Sequence, residues 1–365
     1  MNKQDVIIIG AGFAGAATAY WLKRKGAGRL RIVEMESLPG AHASGKNAGI
    51  ARQLVENGPS TALCTRSIAF LKHPPEDFTD NPLIQVNGGF LLHRDPAGVE
   101  LDALVQTAAS MGTSARRTER RDVVSRLPYL EHATFGSAVW CPDDGLVDIH
   151  ALLASYLRGL KVQTDEEVLG FEKTGRTLTA VRTTRDTYRA EWFVAGAGAW
   201  TPMLGEMAGG QKLPLVARRR HLLHTGRLRM HDPLAPYAWS LDPEVYVRPE
   251  SGGLLLCPCD EEVYPPCSPP YDSRAPEWLA ARLKEAMPDL GGVPIARGWS
   301  ELRTFAPDNL FVIGRDREVD NLFWVCGLGG HGMTSSAAVG EVAASLIAGS
   351  QPPLDPSPYS PSRFA

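Results

Sequence analysis

Gly10, Gly12 and Gly15 stand at G-x-G-x-x-G spacing, and an acid, Glu34, follows them. Each glycine has its own use. Gly10 allows a tight turn, Gly12 lets a backbone approach a pyrophosphate, and Gly15 lets a helix pack close to a strand. A carboxylate at Glu34 can accept from a ribose 2′-hydroxyl and disfavours a 2′-phosphate, which argues against NADP. This motif alone does not choose between NAD and FAD. Gly196-Ala197-Gly198 and the late GLGGHGM turn also follow apolar runs. Repeated glycine turns of this kind suggest several backbone approaches to one long, extended dinucleotide. Lys46, Asn47 and Arg52 could serve phosphates or a ring edge, or could belong to a solvated loop. Arg218-Arg219-Arg220 reads first as a charged surface strand. Cys257, Cys259 and Cys267 lie close together, but not as a C-x-x-C pair and with no histidine between them. An ordinary strand and loop is therefore expected there, and no metal.

The elements that would position these residues follow from patterning. Val6–Ile9 is wholly apolar and reads as a central parallel strand buried on both faces. A helix is expected over Phe13–Lys25 and a second strand over Leu30–Val33. The LPGAHASGKNAGIAR stretch reads as a loop whose backbone passes close to something. Strand character runs over Leu83–Asp95 with a turn at Gly88-Gly89, then a helix over Leu101–Met111. Ala138 opens a strand that turns through Pro142-Asp143-Asp144-Gly145, and a helix covers Ile149–Leu160. A strand pair is expected at Val162–Val168 and Leu178–Thr183, then a buried strand from Trp192. The middle of the chain (Tyr237–Leu241, Glu244–Arg248, Gly253–Cys257, a helix within Asp272–Pro288) is mostly antiparallel in character and reads as a second domain. Strands at Leu310–Ile313 and Leu322–Val325 then feed a small-residue helix, and the Pro/Ser-rich tail after Gln351 is expected to be extended.

Composition narrows the classes. At 365 residues the chain can build two domains with substantial cores. A net charge of −3 gives no bias toward polyanions, so no nucleic-acid partner is expected. Six scattered cysteines form no disulfide framework. Neither a signal-peptide pattern nor a membrane-spanning run is apparent, so a cytoplasmic location is expected.

The stretches VIIIGAGFAGAATAYWL, LPGAHASGKNAG, VAGAGAWTPMLGEMAG, SLDPEVYVRPESGGLLL, GWSELRTFAPDNLFVIG and LFWVCGLGGHGMTSSAAVGEVAASLI together resemble the FAD-dependent amino-acid oxidoreductases of the D-amino-acid oxidase superfamily. That group includes glycine oxidases, sarcosine oxidases and D-amino-acid dehydrogenases, and the likeness is nearest to bacterial D-arginine dehydrogenases. The resemblance implies an α/β fold, with a Rossmann-like FAD-binding domain and a mixed-sheet α+β substrate domain, each non-contiguous in sequence. The first would take residues 1–82, 145–212 and 301–365, the second 83–144 and 213–300. Gly10, Gly12, Ala14, Gly15, Glu34 and Met35 would hold the ADP half. Ser44, Gly45, Lys46, Asn47, Ala48 and Gly49 would lie along the pyrophosphate and flavin, with Ala197, Gly198 and Trp200. Val168 would meet the adenine end through its backbone. Gly329, Gly330, His331, Gly332, Met333 and Thr334 would bracket the flavin pyrimidine edge, beside Arg303.

The same resemblance assigns Arg303, Arg220 and Tyr246 to the substrate carboxylate. A guanidinium can fix a carboxylate in orientation and set Cα–H over flavin N5. His331 is expected to give a hydrogen bond near the ring rather than an attachment point or base. Several departures matter. The acid that would receive an arginine side chain falls at Gly88 or Gly89, a histidine is replaced by Ile50, and a tyrosine by Val55. A cationic D-amino acid is therefore not the expected substrate. Ile50, Gly89, Tyr237 and Trp239 would line a pocket for an apolar or aromatic side chain, or Tyr237 and Trp239 would pack the sheet. A cysteine that carries covalent flavin in monomeric sarcosine oxidases is Glu301 here, so FAD is expected to be non-covalent. The implied activity is oxidation of an amino acid, a D-amino acid with a neutral or hydrophobic side chain, to the imino acid. The alternatives are oxidation of N-substituted glycine-type amines or 2-hydroxy acids, or service as a partner-dependent flavoprotein subunit. Oxygen, a quinone or another acceptor would take the electrons, and the protein would be a monomer or homodimer.

Overall fold

The computed structural model describes residues 4–228 and 232–364. Six strands form the first sheet in the order Val312–Arg315, Leu322–Cys326, Trp192–Ala195, Val6–Ile9, Leu30–Val33, Val162–Gln163. Every neighbouring pair is parallel except the first, which is antiparallel. Val6–Ile9 is central and buried throughout, as its unbroken apolar run requires. Its side chains alternate between two layers. Val6 and Ile8 pack with the helices Phe13–Arg24 and Ser336–Ile347. Ile7 and Ile9 pack with the antiparallel strands Val168–Thr174 and Thr177–Thr183 and the helix Thr201–Ala208. Small residues let the two helices of the first layer touch: a Cβ at Gly340 would sit 2.5 Å from the Ala17 carbonyl carbon.

The second large sheet is mixed. Its order is Glu262–Val263, Val216–His224, Gly253–Cys257, Glu244–Glu250, Tyr237–Leu241, Gly89–His93, Ser137–Cys141, Arg116–Thr118. Tyr237–Leu241 runs parallel to Gly89–His93, and the other pairs are antiparallel. Arg297–Phe305 also pairs with Val216–His224 along its whole length. That pairing corrects one expected boundary: a division between residues 300 and 301 cuts a continuous strand, so Arg303 belongs to this sheet. The tail also differs from expectation. It closes in two short 3₁₀ turns, Ser357–Tyr359 and Pro361–Phe364, and the Tyr359 hydroxyl donates to the Pro59 carbonyl at 2.7 Å. Arg363 pairs with Asp308, and Gln211 donates to the Pro361 carbonyl, which is why the tail folds back.

A small sheet of Ile50–Ala51, Gly145–Val147 and Ile84–Gln85 bridges the two large ones. Beside it lies Asp144, with no exposed surface. Its carboxylate accepts from the Tyr237 hydroxyl at 2.6 Å and from the Gln53 backbone and side-chain amides at 3.1 and 3.2 Å. Burial outweighs these bonds and lifts its pKa from 3.8 to about 6. Because the folded chain holds this proton more tightly, the stabilisation is complete below about pH 4 and is lost as pH rises through about 6. The gap of about two units corresponds to about 3 kcal/mol. Asp144→Asn should therefore match the wild type in stability near pH 4 and exceed it by that order near pH 7. Denaturant melts across this range would show the gap opening; a constant difference would rule the assignment out.

Candidate active site

One continuous cleft runs from the ends of the central parallel strands to the edge of the second large sheet. At the nucleotide end, Gly10 has φ +101°, and a Cβ there would lie 2.6 Å from the Gly196 carbonyl oxygen. The two glycine turns are thus in backbone contact. Gly12 faces Ser44, whose Oγ accepts from the Phe13 N–H at 3.0 Å at the start of the helix. Gly15 does not line the cleft; a Cβ there would meet the Gly10 carbonyl at 2.0 Å, so this glycine serves strand–helix packing. Glu34 lines the cleft and ties its wall together, accepting from the Ala11 N–H at 2.7 Å and the Glu36 N–H at 3.0 Å. Ala14, Met35, Val168, Ala197, Gly198 and Trp200 also line it.

The loop after the second strand divides its tasks. Ser44, Lys46 and Asn47 reach the cleft, whereas Gly45, Ala48 and Gly49 shape the loop behind it. A Cβ at Gly45 would lie 2.4 Å from the Gly40 carbonyl, and Gly49 takes φ +65°. The Asn47 amide donates to the Ser44 carbonyl at 2.8 Å, and its oxygen accepts from the Gly49 N–H at 2.8 Å. Lys46 pairs with Glu301. Sequence reasoning passed over His42, whose only signal was its place in a glycine-rich loop. Its ring lies 4.7 Å from that of Trp200, and Nε2 is 2.8 Å from Glu36. The Glu301 carboxylate, 3.7 Å from Nδ1, and then Glu36 raise its pKa against burial.

At the far end the strand register sorts the three arginines. Arg218 faces Arg303 and Arg220 faces Glu301, so these four share one side of the sheet. Arg219 takes the other side, donating to the Pro270 carbonyl at 3.0 Å and pairing with Asp272 and Glu262. Arg220 lines the cleft but is committed to Glu261 and, through Nε, to the Asp260 carbonyl at 3.2 Å. Arg303 lines the cleft and donates to the Gly330 carbonyl at 3.3 Å; it has no salt bridge among the described residues. Tyr246 lies behind the lining, fully buried, its ring 4.3 Å from that of Trp239.

Gly329, Gly330, Gly332 and Met333 line the cleft, whereas His331 is not among its lining residues. Its Nε2 lies 3.0 Å from Glu56, which also pairs with Arg52 at 2.9 Å. The Arg52 guanidinium covers the Trp239 ring at 4.2 Å and does not line the cleft. Thr334 is buried and donates to the Ile50 carbonyl at 3.0 Å, joining the late turn to the bridging sheet. The expected side-chain pocket is also altered. Gly89 lies under the Tyr237 ring, where a Cβ would come within 2.0 Å, and Tyr237 is buried against Asp144. Both pack the sheet, and neither they nor Ile50 and Trp239 line the cleft.

The cleft suits FAD on its own terms. Glycine backbones approach it from two touching turns, a helix start faces it, and a third glycine turn closes its far end. Residues 5–346 match the family model described as FAD dependent oxidoreductase, DAO. Among curated relatives, the chain is 24% identical to 4-methylaminobutanoate oxidase (formaldehyde-forming) of Paenarthrobacter nicotinovorans, over 98% of this chain and 45% of that protein's length. It is 26% identical to monomeric sarcosine oxidase of Streptomyces avermitilis, over 94% of this chain and 93% of the relative. The crystal structure of L-proline dehydrogenase from P. horikoshii shares the fold, with a TM-score of 0.90 and 21% identity over 99% of this chain and 98% of that one. Among the described residues no helix is long and apolar enough to cross a membrane. With the cleft and the family model in agreement over most of its length, the chain belongs to the DAO family of FAD-dependent oxidoreductases.

Proposed function

We propose that the protein oxidises an amino acid with a neutral or hydrophobic side chain, a D-amino acid by preference, to the imino acid. The observation that carries this reading is Arg303, a guanidinium at the cleft's end with no carboxylate partner among the described residues. It would take the substrate carboxylate, with Arg220 adding positive charge from the same sheet face. Bound FAD would supply the hydride acceptor at N5. The chain's part is to fix the carboxylate, hold Cα–H toward that acceptor and keep water away. One feature argues against a cationic side chain: Gly88 and Gly89 are closed against Trp140 and Tyr237, so no acid fits there. The names of the two curated relatives favour a second reading, an N-alkyl amino acid held by the same carboxylate contact.

Anaerobic bleaching of the flavin absorption band with a panel of D- and L-amino acids, sarcosine, other N-alkyl amino acids and 2-hydroxy acids tests both. Bleaching by neutral D-amino acids, with little from D-arginine or D-lysine, is expected. Bleaching confined to N-alkyl amino acids would select the second reading, and bleaching by none would overturn both.

A further inference from the structure

Three acids, Asp260, Glu261 and Glu262, stand beside the three arginines of the strand Val216–His224. Gly253–Cys257 pairs with that strand at Leu223 and His224, and Glu262–Val263 pairs with it again at Arg218 and Arg219. Residues 258–261 bend past Arg220 between the two, with Cys259 at φ +52°. Asp260 pins this turn. Its carboxylate accepts from the His221 N–H at 2.9 Å and lies 2.7 Å from His221 Nδ1. The Asp272 N–H donates to His221 Nε2 at 3.0 Å, which leaves the ring proton on Nδ1 to donate to Asp260. His221 has no exposed surface, so the anchor is fixed from inside the sheet.

The anchored turn delivers Glu261 to the arginines. One carboxylate oxygen pairs with Arg220 Nη2 and the other with Arg218 Nη1. Arg220 Nε is taken by the Asp260 carbonyl at 3.2 Å. The Nε–Nη2 edge is one that can hold a carboxylate through two parallel hydrogen bonds, and on Arg220 it is closed. Arg303, the diagonal neighbour on the same sheet face, has no carboxylate partner among the described residues. Lys46, another cation of the cleft, pairs with Glu301. The cleft's end thus offers an open guanidinium beside one capped by the protein's own acid.

We propose that Glu261 is a specificity-determining residue that limits the site to amino acids with a single carboxylate. It stands behind Arg220, outside the cleft lining, and acts through that arginine. Arg220 still lends its charge, but the side-chain carboxylate of an acidic amino acid finds its two-bond edge occupied and a like charge beside it. This inference rests on the reading of Arg303 as the carboxylate site and narrows it: neutral side chains are accepted and acidic ones rejected.

The test titrates holoenzyme with propionate, which has one carboxylate, and succinate, which has two, and reads binding from the shift of the flavin absorption band. The wild type should bind propionate more tightly. In Glu261→Gln the ratio of succinate to propionate affinity should rise about tenfold, the order of one charge contact opened on Arg220. Bleaching by D-aspartate and D-glutamate should gain on bleaching by D-alanine in the same variant. Glu262→Gln removes the same charge one residue away, but Glu262 pairs with Arg219 on the other face of the sheet, so the ratio should stay at the wild-type value. An unchanged ratio in Glu261→Gln, or an equal rise in Glu262→Gln, would overturn the proposal while propionate binding kept the Arg303 reading. Failure of propionate to bind the wild type would remove that reading and this inference together.

Discussion

Arg303→Met should lower kcat/KM for the amino-acid substrate by about a thousandfold, with FAD still bound. The argument is electrostatic. Among the described residues, the hydrogen-bond partner of Arg303 in the cleft is a neutral carbonyl, that of Gly330. A substrate carboxylate would therefore meet an uncompensated guanidinium. Removing one member of such a charge pair typically costs about 2–5 kcal/mol, and a thousandfold is about 4 kcal/mol. The loss should fall on both kcat and KM, because the contact orients Cα–H as well as holding the molecule. Arg220→Met should cost less, about tenfold, since Glu261 already meets that charge and a substrate gains less from sharing it. Rapid-reaction bleaching of each purified variant, normalised to its flavin content, measures both. Equal effects, or a larger effect at Arg220, would mean that the substrate carboxylate sits elsewhere.

The two arginines also show where sequence reading reaches and where it stops. Buried strands and glycine turns are local signals, and Val6–Ile9 with Gly10 and Gly12 sits where its pattern requires. The largely antiparallel character of the second sheet was legible for the same reason, from short apolar runs parted by turns. Which of Arg218, Arg219 and Arg220 faces the cleft was not legible, because one residue of slip exchanges the two faces of a strand. Only the pairing with Arg297–Phe305 settles it. The direction of the His331 side chain was not legible for a related reason. Its motif fixes the backbone turn, but Glu56, distant in sequence, decides where the imidazole goes. The pocket and packing readings of Tyr237 could not be told apart, because neither residue type reveals that the ring lies directly over Gly89. Side-chain direction at the site is tertiary information, and composition near the motif carries little of it.

Gly10→Ala should all but abolish FAD binding, and the reason lies in the partner turn. The new methyl would stand 2.6 Å from the Gly196 carbonyl oxygen and 3.1 Å from the Ala197 Cα, both backbone atoms. No rotamer change can relieve that contact, so the two strand ends must part. The residue would also be held at φ +101°, where a side chain adds about 1–2 kcal/mol of strain. Gly175→Ala separates these two contributions. Gly175 also has positive φ, +59°, but nothing lies within 4 Å of its added Cβ. That variant should lose about 1 kcal/mol of stability and keep its flavin. Gly10→Ala should lose at least a hundredfold in FAD affinity, because Gly10 and Ala197 both line the cleft and move apart together. It should also forfeit the rise in thermal midpoint that saturating FAD gives the wild type, since that rise comes from binding to the folded state. Flavin-to-protein absorbance ratios and melts with and without added FAD measure both effects. Were the two alanine variants to behave alike, backbone strain alone would account for Gly10, and the contact with Gly196 would have no part in holding the cofactor.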